Sequence, residues 1–195
     1  MASAATTHLL YLHGFRSSPR SFKAQRMQAW MQQHRPDVHW WCPQLPPSPR
    51  EAVELLERGT ADWPCESMAV VGSSLGGFYA TVMAERLGCR AALVNPAVHP
   101  HRRFERHLGP QKNLYTGEAF VLTQEHIDEL AAMDPPAITR PERYWLFVET
   151  ADEVLDYREA VAYYEGALHS VTRGGDHSLT TFPEHVPDIV EWART

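Results

Sequence analysis

Cysteine, long apolar runs and positive charge are all in short supply in this 195-residue sequence, and each shortage removes a class of protein. The 3 cysteines, Cys42, Cys65 and Cys89, are odd in number and far apart, which suits neither a disulfide framework nor a paired metal-ligand spacing. Each reads as a small buried hydrophobe. No apolar run approaches the roughly 18 residues of a membrane span, and Met1 to Thr7 lacks the basic start and apolar stretch of a signal peptide. The expectation is a soluble, cytoplasmic chain. Because 18 Lys plus Arg face 24 Asp plus Glu, the net charge of −6 leaves no general field for a phosphate backbone, so nucleic acid is not an expected partner. Against these shortages stand 44% hydrophobic and 22% charged residues, ordinary globular values that exclude disorder and, at this length, support one domain over residues 1–195.

Hydrophobic periodicity switches repeatedly between strand and helix. His8 to Leu12 is a short apolar run ending at His13-Gly14, and Met27, Trp30, Met31 and His34 then follow helical spacing until Pro36. Val38 to Cys42 reads as a second strand. Ser48-Pro49-Arg50-Glu51 is a capping box with proline at the first helical position, opening a helix that ends near Gly59. Ser67 to Gly72 is a third strand, and Leu75, Phe78, Tyr79, Val82 and Met83 mark the next helix, closed by Gly88. Further strands are expected at Arg90 to Asn95, Tyr144 to Thr150 and Leu168 to Arg173, with helices over Val154 to Gly166 and Pro183 to Arg194. The alternation implies an α/β fold, a mostly parallel sheet with helices on both faces. Residues 97–143 break the rhythm and form an insertion, read as a cap over the site, with one predicted helix, Thr123 to Met133, whose narrow stripe of Ile127, Leu130 and Ala131 suits closing over an acyl chain or equally packing on the scaffold.

Gly72-Ser73-Ser74-Leu75-Gly76 fits G-x-S-x-G between a predicted strand and a predicted helix, the context that motif requires. Gly72 and Gly76 supply the small neighbours of a sharp turn, and Ser74 stands at a helix N-terminus that favours developing negative charge. A serine hydroxyl needs a base, and of 11 histidines His177 lies just beyond a strand end, after Gly174-Gly175-Asp176. Asp152, directly after the fifth strand, is better placed to orient that base than Asp156, Asp176, Glu149 or Glu153, and gives the chain order Ser, Asp, His of α/β-hydrolases. The backbone N–H groups of Phe15 and Leu75 are the expected oxyanion donors; His13 reads as a hydrogen-bonded structural residue. His99, His101 and His107 lack a carboxylate or thiolate at ligand-like spacing, so this stretch, with Arg102, Arg103 and Arg106, reads as a solvated loop and no metal is expected. Trp40, Trp41 and Trp63 read as packing residues.

Several strings together carry a resemblance. His13-Gly14-Phe15, Pro43-Gln44-Leu45-Pro46-Pro47, Val71-Gly72-Ser73-Ser74-Leu75-Gly76-Gly77, Val94-Asn95-Pro96, Asp152-Glu153-Val154-Leu155-Asp156-Tyr157 and Gly174-Gly175-Asp176-His177 resemble the YqiA-type bacterial esterases of the α/β-hydrolase superfamily. The resemblance runs over nearly the whole chain and implies a Ser74, Asp152, His177 triad hydrolysing short-chain carboxylic esters without a cofactor. A thioesterase on the same triad, or a silent hydrolase fold used for binding, are the alternative readings. Two positions depart from the family pattern: Ala151 where glycine is expected and Asp176 where asparagine is expected. The sequence leaves the oligomeric state open.

Overall fold

The computed structural model describes residues 6–194; residue 195 and residues 1–5, the greater part of the segment read for a signal peptide, lie outside the described residues. Its sheet is built from β1 (His8–Leu12), β2 (His39–Trp41), β3 (Met68–Ser73), β4 (Arg90–Val94), β7 (Tyr144–Glu149) and β8 (Leu168–Thr172). They lie in the order β2-β1-β3-β4-β7-β8, and every neighbouring pair is parallel. The order reverses direction after β2, so the crossover before that point and those after it fall on opposite faces.

Side chains of period two divide the core. Leu10, Leu12, Val70 and Leu93 point to the face covered by α2 (Pro49–Thr60) and α3 (Leu75–Leu87), whereas Leu9, Tyr11, Val71 and Val94 point to α1 (Phe22–His34) and α6 (Phe182–Ala193). The helical stripes meet them: Met27 and Met31 from α1, Ile189 from α6 and Leu56 from α2 are all essentially inaccessible to solvent. Trp40, Trp41 and Trp63 pack against these cores, as expected. Of the cysteines, Cys89 is buried and Cys42 half-buried, and burial pushes both thiols up to about 12. Cys65 is exposed, against expectation, because it lies in the single 3-10 turn that leads into β3.

Two local differences bear on the site. The fifth helix, α5 (Tyr157–Tyr163), begins three residues later than the periodicity suggests, because Asp156 is its N-cap and accepts a hydrogen bond from the Arg158 amide at 3.0 Å. Residues 97–143 hold more than one helix: the antiparallel hairpin of β5 (Gly109–Lys112) and β6 (Ala119–Leu122) precedes α4 (Gln124–Met133). The α4 stripe does not close over the serine. Ile127 and Leu130 are buried, and Glu129 binds the Ser48 hydroxyl at 2.8 Å and Arg50 at 2.6 Å, pinning α4 to the start of α2.

Candidate active site

Strand β3 ends at Ser73, and the chain must reverse into α3 within one residue. That residue is Ser74, with φ 56° and ψ −122°, a conformation L-residues seldom adopt. The turn tolerates no bulk beside it. A Cβ on Gly72 would lie 2.2 Å from the Gly76 carbonyl oxygen, and one on Gly76 would lie 2.0 Å from that of Leu12. The glycines of the motif are thus required by close packing of α3 on β1 and β3.

The His177 loop beyond β8 brings its imidazole to Ser74, with Nε2 3.0 Å from the serine Oγ. On the other side of the ring Nδ1 lies 2.8 Å from Oδ2 of Asp152, just past β7. The Oδ1 oxygen of Asp152 accepts the amides of Val154 and Leu155 at 2.8 and 2.9 Å. Burial raises the Asp152 carboxyl, but the His177 bond and these two amides more than offset it and hold it below the usual carboxylate range. An ionised carboxylate here selects the tautomer with the proton on Nδ1, leaving Nε2 free to accept from Ser74. Asp156 is occupied at the N-terminus of α5 and with the Arg158 guanidinium, whereas Asp152 is the aspartate that meets His177.

Leu75 opens α3, where a first-turn N–H has no intrahelical acceptor. Opposite it the main chain of Gly14 runs so close to the serine that a Cβ there would be 3.2 Å from that of Ser74. Phe15 follows directly in the chain and lines the same cleft as Ser74. His13 fixes this loop: burial lowers its pKa, keeping it neutral, and while Nδ1 lies 3.0 Å from the Gly14 carbonyl, Nε2 accepts the Leu45 amide at 3.1 Å.

A cleft of about 290 Å³ opens over Ser74 and His177, bordered by Phe15, Phe22, Leu114 and Tyr115. A side pocket of about 50 Å³ adjoins it at Phe15, walled by Leu75, Tyr79 and Phe120. Phe15 packs edge-on against Phe104 and Phe120, at 5.0 and 6.0 Å between ring centres. The part of the insertion that reaches this cleft is the hairpin turn. Asn113 donates to the Ser17 carbonyl at 2.7 Å and the Leu114 amide donates to that of Arg16 at 2.8 Å, while Arg20 holds the Tyr115 carbonyl.

The model of the family described as "Uncharacterised protein family (UPF0227)" matches residues 8–194. The chain belongs to this family, the YqiA family. Solved structures share its α/β-hydrolase fold. The mouse alpha/beta hydrolase domain-containing protein 10 is 13% identical with a TM-score of 0.71, over 96% of this chain and 90% of that one. The esterase domain of a Rhodothermus marinus protein is 17% identical with a TM-score of 0.69, over 98% and 88%. Est1E from Butyrivibrio proteoclasticus is 12% identical with a TM-score of 0.66, over 98% and 86%.

Within this YqiA-family chain the Ala151 departure is accommodated, whereas at Asp176 the side-chain Oδ1 is buried without a hydrogen-bond partner among the described residues. Ala151 is not among the residues of positive φ, so no glycine is required there. The Asp176 amide donates to Glu149 at 2.7 Å, and its carbonyl accepts from Asn95 at 3.1 Å. Those two partners are the residues that sequence reasoning passed over. Asn95, buried at the end of β4, also donates to the His177 carbonyl at 3.2 Å and accepts the Glu149 amide at 3.1 Å, so one carboxamide ties β7 to the histidine loop. Glu149, set aside as an acid, lies buried beneath that loop; Glu153 accepts the His177 amide at 3.0 Å.

The histidines of the insertion also differ from expectation. His99 is partly buried with Nδ1 2.6 Å from Asp134, and His101 lies 3.2 Å from the same oxygen, so this end of the loop is anchored, while Arg102, Arg103 and Arg106 are exposed as expected. Among the described residues no group of three or more His, Cys, Asp or Glu is disposed to hold a metal ion, and no helix is long and apolar enough to cross a membrane.

Proposed function

We propose that this protein is a serine carboxylesterase acting on small esters with short acyl chains. The observation that carries the reading is the unbroken relay at the carboxyl edge of the sheet, Ser74 Oγ to His177 Nε2 at 3.0 Å and His177 Nδ1 to Asp152 Oδ2 at 2.8 Å. Ser74 attacks the ester carbonyl as His177 takes its proton, and the Phe15 and Leu75 amides stabilise the oxyanion. The tetrahedral intermediate collapses, the carbon–oxygen bond to the alcohol breaks, and His177 returns the proton to the departing oxygen. Water activated by the same imidazole then cleaves the acyl-enzyme, releasing the acid and restoring Ser74. Asp152 stays ionised throughout and stabilises the imidazolium.

The small side pocket beside Phe15 and Leu75 supports a short acyl group, and residues 97–143 act as the cap through the hairpin turn at Leu114 and Tyr115. A fluorophosphonate probe is expected to label the wild type and leave Ser74→Ala unlabelled. With p-nitrophenyl esters, kcat/KM is expected to fall from acetyl or butyryl to dodecanoyl. Labelling of Ser74→Ala at full stoichiometry, or efficiency that rises with chain length, contradicts the reading.

A further inference from the structure

The cleft over Ser74 has one wall that hydrolysis of a plain ester does not explain. Lys23 lines it, together with Ser21 and Ser178, and its ammonium donates to the Ser178 carbonyl at 2.6 Å. That bond uses one of three donors. Among the described residues no carboxylate reaches ion-pair distance of Lys23; Asp176, Asp152 and Glu149 act on it only from further away. The position is poor for stability. Lys23 stands in the first turn of α1, where a cation opposes the helix dipole and no acidic residue compensates. Lys23 and Lys112 are also the chain's two lysines, arginine being used for every other permanent cation. A compact ammonium, and not a guanidinium fork, thus stands at this wall of the cleft.

The side of the cleft is defined by chemistry. His177 must face the departing oxygen to protonate it, and Lys23 is bonded to Ser178, the next residue, and lines the cleft but not the small side pocket, which assigns its ammonium to the leaving-group side. We propose that Lys23 is a specificity residue that selects esters whose alcohol portion carries a carboxylate, such as acyl esters of a hydroxy acid. This rests on the esterase reading, with acyl transfer unchanged: the acyl–oxygen bond breaks, His177 gives the proton to the hydroxy acid, and the carboxylate stays ion-paired to Lys23.

Burial lowers the Lys23 pKa to about 8, with Asp176, Asp152 and Glu149 partly offsetting it. The preference for the anion is therefore lost as pH rises through about 8.

The test compares 4-acetoxybenzoate with 4-acetoxybenzamide, an anionic and a neutral ester of similar size, through the ratio of their kcat/KM values. The ratio cancels any change in the relay or in the histidine loop that slows both esters alike. Wild type is expected to prefer the anionic ester at least tenfold at pH 7, with the ratio falling toward one by pH 9. Lys23→Met is expected to reduce the ratio tenfold or more, and Lys23→Glu to invert it. Equal loss of both esters in Lys23→Met, with the ratio unchanged, overturns the proposal and makes Lys23 a tether for Ser178. Hydrolysis of both esters at a wild-type ratio near one leaves the esterase reading standing and removes the proposal alone. If neither ester is cleaved and the fluorophosphonate does not react, 4-hydroxybenzoate binding by calorimetry decides. Affinity weakened tenfold or more by Lys23→Met supports the anion site without turnover, and undetectable or Lys23-independent binding overturns it.

Discussion

Asp152 and Asp156 stand four residues apart and have opposite surroundings. The first is held by His177 and two amides, the second by its helix and Arg158, so their variants separate a relay group from a cap. Asp152→Asn, which favours the wrong imidazole tautomer, is expected to lower kcat by about 10⁴-fold. Asp156→Asn keeps a capping side chain and is expected to stay within about threefold; steady-state kinetics on one short-chain ester measures both. Ser74 yields a second residue-scale prediction. At most positions glycine is less stable than alanine by about 0.5–1 kcal/mol, but at φ 56°, ψ −122° a Cβ carries strain of about 1–3 kcal/mol. Ser74→Gly is thus expected to be more stable than Ser74→Ala by about 1 kcal/mol, a reversed order visible as a Tm higher by about 2–4 °C in calorimetry.

At the scale of elements, Glu129 decides how α4 rests on α2. Burial by itself raises its pKa, but the Ser48 hydroxyl and the Arg50 amide and guanidinium hold the carboxyl below its usual value. A depressed folded pKa contributes stability that is present above the unfolded value and lost as pH falls through the folded one. With Arg50 largely exposed, Glu129→Gln is expected to cost about 1–2 kcal/mol at pH 7, a difference that narrows below about pH 4.5; urea unfolding at the two pH values measures it. The same elements show what a sequence displays. Strands β1, β3, β4 and β7 were legible because burial on both faces makes them continuous apolar runs, and Ser74 and Asp152 because each follows such a run, whereas His177 follows the exposed or half-buried residues of β8 and stood out by its place after a strand end. The β5 strand, Gly-Pro-Gln-Lys, has neither apolar alternation nor a proline-free ladder, so nothing local announces it. Asn95 and Glu149 act through partners brought near only by the folded sheet, and Lys23 looks from sequence like any solvated helix residue. The mutual anchoring of His99 and Asp134 spans 35 residues with no spacing rule to reveal it.

Over the whole molecule the proposed nucleophile and its proposed base are unequally supported. Ser74 hangs from β3, paired on both sides at the centre of the sheet, whereas His177 hangs from β8, the outermost strand, which pairs with β7 alone and leaves Leu168 and Val171 exposed. Edge strands with few buried contacts open at lower free energy than central ones. Peeling β8 from β7 withdraws the imidazole while the serine and its oxyanion donors stay in place. Ester turnover is therefore expected to fade at urea concentrations below the main circular-dichroism transition, with Leu168–Thr172 amides exchanging faster than those of Met68–Ser73. Coincident transitions would mean that the edge and the centre melt as one unit. On the esterase reading, sensitivity to denaturant, crowding or a neighbour at that edge then belongs to a five-residue strand, and a molecule with an intact core can cycle reversibly between active and silent forms.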